Sequence, residues 1–222
     1  MCLGRCSDTK EVSIIDRLIV QPPESVRRLY SHSAWRLGGE KTMYLTFDDG
    51  PIEEQTPWVL DMLDKHGAKA TFFCVGENVD RHREIYHETL RRGHVVGNHT
   101  YNHAQLLKVG WKAYRENIEK CSIAGEGKMR FFRPPHGQMT PWRTCAIVGG
   151  GLERVVFWDV MPEDYDRRLK PEEVYRNVRE NVREGSIVVL HDSIKSGERM
   201  RYTLERILEE YGEKGWKFES IG

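Results

Sequence analysis

No charge of one sign predominates in these 222 residues: 34 Lys and Arg stand against 34 Asp and Glu. No net field therefore gathers nucleic acid, anionic lipid or a strongly acidic polymer. Long apolar runs are missing too. Stretches such as Ile187-Val188-Val189-Leu190 fall far short of the roughly 20 residues that span a bilayer. Met1 to Glu11 are polar and contain no apolar segment of the kind that opens a secretory signal, which makes the cytoplasm the default expectation. Cysteines number five, an odd count without paired spacing. Cys74, Cys121 and Cys145 lie in apolar-patterned segments, where a thiol behaves as a small hydrophobe, so no disulfide framework is expected. Nothing resembles an internal repeat, a low-complexity tract or an interdomain linker. One domain with a sizeable core is expected, with no nucleic-acid partner, no membrane segment and no protein partner.

Seven short β-rich runs alternate with stretches of helical period, at 42–47, 70–75, 94–98, 130–133, 154–159, 186–191 and 216–221. The clearest helix carries Met200, Leu204, Ile207, Leu208 and Tyr211 on one face. Another begins at Pro171, where a proline followed by Glu172 and Glu173 suits a first turn. A third opens at Thr56-Pro57 and closes at Gly67, and a fourth runs from about Asn78 to Gly93. The Gly149-Gly150-Gly151 run joins a helix to the strand at Arg154. This alternation predicts α/β architecture with parallel strands. The simplest closed form is a (β/α) barrel of fewer than eight strands, and an open doubly wound sheet is the alternative. Residues 1–40 fall outside the alternation and read as a loosely ordered arm plus one short helix after Pro22-Pro23, packed on the barrel; residues 41–222 form the main domain.

Polar residues unsuited to a core cluster just after these strands, at the edge where parallel α/β folds place chemistry. Asp48 and Asp49 follow the first strand and His99 and His103 the third. Arg133 ends the fourth, Asp159 and Asp164 follow the fifth, and His191 ends the sixth. Each has an ordinary explanation. Asp48-Asp49-Gly50-Pro51 is a plausible plain turn, and Arg133-Pro134-Pro135-His136-Gly137 a merely rigid loop. His99 and His103, four apart, share one face of a helical turn as ligands would, or decorate a surface. His191 beside Asp192 could be a satisfied core histidine. Convergence on one rim favours a common purpose.

Thr46-Phe47-Asp48-Asp49-Gly50-Pro51, His99-Thr100-Tyr101-Asn102-His103 and Arg133-Pro134-Pro135, in that order, resemble successive motifs of the polysaccharide deacetylase family, the NodB-type carbohydrate esterases of family 4. The resemblance extends over 41–222. It implies a distorted (β/α)7 barrel, a divalent metal (zinc first, with cobalt, nickel or iron as alternatives) and hydrolysis of N-acetyl groups on glucosamine-type sugars in an oligo- or polysaccharide. On that likeness Asp49, His99 and His103 match the metal ligands and Asp48 the catalytic base. Arg133 matches the residue that orients the base, His191 the catalytic histidine and Asp164 the acid that tunes it. Pro135, His136, Tyr165 and Val189 match positions around the substrate. His136 stands where the family usually has tyrosine, Met161-Pro162-Glu163-Asp164-Tyr165 departs from Asp-x-x-Asp-Trp, and Val189 replaces leucine. The last two of these positions resemble those lining the acetate pocket, so another linear or cyclic amide is the alternative substrate. Family substrates also lie in the cell envelope, which makes that the alternative location.

Amide hydrolysis needs a strong nucleophile and a proton for the departing nitrogen. Two neutral imidazoles and one carboxylate leave a divalent ion positively charged with open positions, which lowers the pKa of water toward about 7. The same ligand set also holds Fe(II) in oxygenases, but the βα alternation and the adjacent acid–base groups favour hydrolysis. A sugar-binding barrel that has lost catalysis is the non-enzymatic alternative.

Overall fold

The computed structural model describes residues 20–30 and 32–222; the arm expected before residue 20 lies outside them. The strands are β1 (Ser33–Ala34), β2 (Thr42–Asp48), β3 (Ala70–Cys74), β4 (Val95–Asn98), β5 (Phe131–Phe132), β6 (Arg154–Val156), β7 (Ile187–His191) and β8 (Lys217–Phe218). All pair in parallel, in the order β1-β6-β5-β4-β3-β2-β7, with β8 joined to β2 off that path. The ring closes where the chain beyond β6 meets β7. Val160 bridges Val188, the Asp159 N–H donates to the Ile187 carbonyl at 2.9 Å, and the Val189 N–H donates to the Val160 carbonyl at 3.0 Å. The closed barrel is therefore the observed solution, and the open sheet is not. The seven expected strands correspond to β2–β8; β1 is additional.

Period-two alternation assigns each strand face. Met43, Leu45 and Phe47 of β2 pack into the outer core with Leu204, Ile207 and Leu208. Inside the barrel lie Phe73, Phe131, Val156, Ile187 and Ile221. Val189 and His191, two and four residues beyond Ile187, share its inward face. Gly97 admits the Phe73 ring, whose Cδ1 lies only 2.6 Å from where a Cβ on that glycine would stand.

The helices cover the outside: α1 (Glu24–Arg27), α2 (Thr56–Lys65), α3 (Gly76–Arg81), α4 (Arg83–Arg91), α5 (Leu106–Val109), α6 (Trp111–Ala124), α7 (Pro141–Gly149), α8 (Pro171–Asn181) and α9 (Gly197–Glu213). The helix expected from Asn78 to Gly93 is two, because His82 leaves helical geometry at φ −124°, ψ 51°. Among the described residues no helix is long and apolar enough to cross a membrane.

One expected rim residue is not there. Asp159 pairs with the beginning of β7, not its end. It is fully buried, bonded to Arg27, to Arg183 at 2.9 Å and to Ser186 Oγ at 2.5 Å. Two guanidiniums and a hydroxyl compensate its burial, and through Arg27 it fastens α1 to the barrel.

Candidate active site

Because β2 and β7 are neighbours in register, Asp48 faces His191 across the ladder, with Phe73 on its other side. The barrel ladder continues beyond the named strands: the His99 N–H donates to the Cys74 carbonyl at 3.0 Å, and the Arg133 N–H to that of Asn98 at 3.0 Å. Asp48, Asp49, His99, Arg133 and His191 are thereby fixed at the C-terminal edge.

The Asp49 loop is held from three sides. Asn78 Nδ2 donates to the Asp49 carbonyl at 2.7 Å, the Val75 N–H donates to the Gly50 carbonyl at 3.0 Å, and the Gly50 N–H donates to Asp192 Oδ1 at 2.9 Å. Asp49 has φ 87°, an uncommon conformation maintained by these contacts. A side chain at Gly50 would put its Cβ 2.1 Å from Asp192 Oδ2.

His99 and His103 do not share a helical turn, as their spacing suggested. The chain from 99 to 105 is irregular, with Thr100 at φ 64° and His103 at φ 53°. The Thr100 N–H bonds Asn98 Oδ1 at 2.9 Å, the Tyr101 N–H bonds Asn117 Oδ1 at 2.7 Å, and the Ala104 N–H bonds Thr100 Oγ1 at 2.8 Å. This folding brings the two rings to 5.1 Å between centroids.

Donor atoms of Asp49, His99 and His103 all lie within 4.8 Å of one another. His103 Nε2 is 3.4 Å and His99 Nε2 3.9 Å from Asp49 Oδ1. Ligand bonds of about 2.1 Å in tetrahedral geometry put donors roughly 3.4 Å apart, so the three fit one divalent cation. His99 Nδ1 lies 2.8 Å from the Arg133 carbonyl, which leaves Nε2 facing the site. Burial lowers the His99 pKa to about 4, against the pull of Asp48, keeping the ring neutral as a ligand must be. Burial pushes the Asp49 carboxyl up, but His191, His99, His103 and His136 together outweigh it and hold the pKa below its ordinary value.

Asp48 stands beside this triad. Its Oδ1 accepts from Arg133 Nη1 at 2.6 Å, while Oδ2 is 3.9 Å from His99 Nε2. Arg133 is 1% exposed. Its guanidinium also donates to Thr46 Oγ1 at 2.7 Å and to the Phe157 carbonyl at 3.0 Å, and it lies 4.1 Å over the Phe73 ring. Across the site, Asp164 grips His191 twice: Oδ1 is 2.7 Å from Nδ1, and Oδ2 accepts the backbone N–H at 2.7 Å. Arg199 Nε donates to the Asp164 carbonyl at 2.7 Å. Tyr165 meets the His191 ring edge-on at 5.2 Å. Pro135 is buried, His136 is exposed with its ring 4.8 Å from that of His103, and Val189 is fully buried below His191.

Thr46 stands in the first motif without a role having been given to it, and roles for Asn78, Asn117 and Asp192 were not expected from the sequence. Of the last three only Asp192 carried a local signal, as an acid directly after His191. It is fully buried, and besides Gly50 it accepts from Thr56 Oγ1 at 2.6 Å. Burial drives its pKa up to about 7 against these donors. Because Asp192 holds the loop that carries Asp49, Asp192→Ala is expected to weaken cation binding about 10- to 100-fold, as loss of a ligand's supporting partner does. Competition with a chelating dye measures this; an unchanged affinity would remove Asp192 from the metal site.

Residues 36–146 match the family described as polysaccharide deacetylase. The chain belongs to that family. A polysaccharide deacetylase is a hydrolase of non-peptide carbon–nitrogen bonds, the enzyme class that the motifs suggested. The chain is 34% identical over 189 residues to a peptidoglycan-N-acetylglucosamine deacetylase of Bacillus cereus, covering 80% of this deacetylase and 66% of that one. It is 35% identical over 158 residues to a chitooligosaccharide deacetylase of Azorhizobium caulinodans, covering 69% and 74%. The crystal structure of the Bc1960 peptidoglycan N-acetylglucosamine deacetylase, in complex with 4-naphthalen-1-yl-N-oxidanyl-benzamide, superposes with a TM-score of 0.79 at 30% identity, over 90% of this chain and 94% of that one. The barrel seen here is thus the deacetylase fold.

Proposed function

We propose that this deacetylase removes acetyl groups from N-acetylglucosamine-type units of an oligo- or polysaccharide, chitooligosaccharide or peptidoglycan in class, with a divalent cation, zinc first, on Asp49, His99 and His103. The observation that carries the reading is the flanking of this triad by Asp48–Arg133 on one side and Asp164–His191 on the other. When bound, the cation supplies a Lewis acid that acidifies water and polarises the acetyl carbonyl. Asp48, kept in place by Arg133, takes the proton of the attacking water. The His136 N–H is the donor assigned to the oxyanion, since those of Gly137 and Gln138 bond the carbonyls of Pro134 and Pro135 at 3.0 and 3.1 Å. His191, held in its protonated form by Asp164, gives its proton to the departing nitrogen.

Acetate release decides the matter. Chelated protein is expected to be inactive, and zinc, cobalt or nickel to restore acetate release from N-acetylglucosamine oligomers or muropeptides. Hydrolysis of small linear or cyclic amides, with no acetate released from these sugars, would overturn the substrate class. Full activity in the chelated protein would overturn the metal.

A further inference from the structure

Among the described residues seven large apolar side chains are exposed, and four of them, Leu107, Val109, Trp142 and Ile194, stand on segments leaving the C-terminal ends of β4, β5 and β7. That is the face carrying the metal triad, and exposed apolar groups gathered beside a site mark where a ligand lies. Leu107 is 81% and Trp142 62% exposed. Contacts and short steps along the chain lead from the triad to Leu107 and Trp142. The His103 ring meets that of His136 at 4.8 Å, and His136 Nε2 lies 3.1 Å from Gln105 Nε2. The Leu107 N–H donates to Gln138 Oε1 at 3.3 Å, and two residues beyond Gln138 the Thr140 hydroxyl accepts the Trp142 indole N–H.

Trp142 is fixed in spite of its exposure. Its N–H is engaged by Thr140, and the Arg143 guanidinium lies 5.3 Å from its ring and 5.1 Å from that of Trp111, which packs on the Phe132 core cluster. A held, water-exposed indole bordered by Thr140 and Arg143 presents an apolar face with a polar edge. A pyranose has the matching form, with C–H groups on its faces and hydroxyls around its edge. The chain's lack of net charge favours such a neutral ring over an ionic ligand.

We infer that Leu107 and Trp142 form a platform that stacks a sugar ring of the glycan further along the chain from the acetamido group at the triad. The enzyme would then act on oligomers in preference to short sugars. The inference rests on the reading of the site as a glycan deacetylase.

The test uses zinc-loaded Asp48→Asn protein, so that bound sugar is not turned over, and calorimetry with the N-acetylglucosamine pentamer and dimer. Adding Trp142→Ala is expected to weaken pentamer binding about tenfold and to change dimer binding less than about twofold, with Trp142→Phe recovering most of the loss. In the active enzyme Trp142→Ala is expected to raise KM for the pentamer at unchanged kcat. Unchanged pentamer affinity, or equal losses for pentamer and dimer, overturns the platform while the deacetylase reading stands. So does a loss confined to self-association in sedimentation, which makes the surface a contact between copies. Acetate release from neither sugar, with neither bound, fells the functional reading itself and the platform with it.

Discussion

Asparagine at position 48 is expected to leave the cation in place and to lower kcat by about 10²- to 10⁴-fold, the usual worth of a positioned general base. Asp48 divides its two oxygens, one bonded to Arg133 at 2.6 Å and the other 3.9 Å from His99 Nε2. Asparagine has the same shape and can still accept from Arg133, but it cannot take a proton. Asp49, His99 and His103 keep their geometry, because their restraints run through Asn78, Asp192, the Arg133 carbonyl and the 99–105 loop. His99→Ala removes a ligand and is expected to abolish metal binding together with activity. The contrast between the two variants, read as metal content against kcat, separates base from ligand. Since the change leaves the buried guanidinium of Arg133 without its counter-charge, a stability loss of about 3–5 kcal/mol is expected alongside. Turnover is therefore compared well below the melting temperature. Activity within about tenfold of the parent would remove Asp48 from proton transfer.

Much of this site was legible because barrel topology turns sequence position into spatial position: residues at the ends of consecutive parallel strands must share a rim. Asp48, His99, Arg133 and His191 needed only that rule. Asp159 broke it. In a barrel with staggered strands the segment after β6 pairs with the beginning of β7, so a residue close behind a strand can lie at the opposite end from the site. Period-two pattern cannot show stagger. β1 was missed for a related reason, since two residues are too few to alternate. His99 and His103 were found by their spacing, yet what joins them is a loop with two left-handed residues, Thr100 and His103, held by Asn98 and Thr100 close by and by Asn117 from a distant helix. Asn117 is 16 residues from Tyr101 in sequence, and Asp192 is 142 from Gly50. Side chains that hold a site from such distances emerge only once the fold is closed.

Asp164→Asn is expected to lower kcat by about 10²- to 10⁴-fold at neutral pH and to move the alkaline limb of the kcat–pH profile to lower pH. Burial alone pushes the His191 pKa down. The charge and hydrogen bond of Asp164 more than reverse this, helped by Asp49 and Asp48, and raise the value from 6.5 to about 10. A raised value means that the protonated, donating form of His191 persists until pH climbs through about 10. Linkage has the same sign: the stabilisation from this pairing is complete below the ordinary histidine value and is lost as pH rises through the folded one. With asparagine the leading favourable interaction is gone, burial prevails, and the proton leaves at lower pH. A bound cation opposes the help from Asp49 and Asp48, which makes Asp164 the more decisive. Because asparagine has the same shape and can still accept the His191 backbone N–H, a lost rate with an unmoved limb would mean that Asp164 only holds the strand end. A limb that moves with the rate instead identifies the carboxylate's charge as what keeps His191 a proton donor.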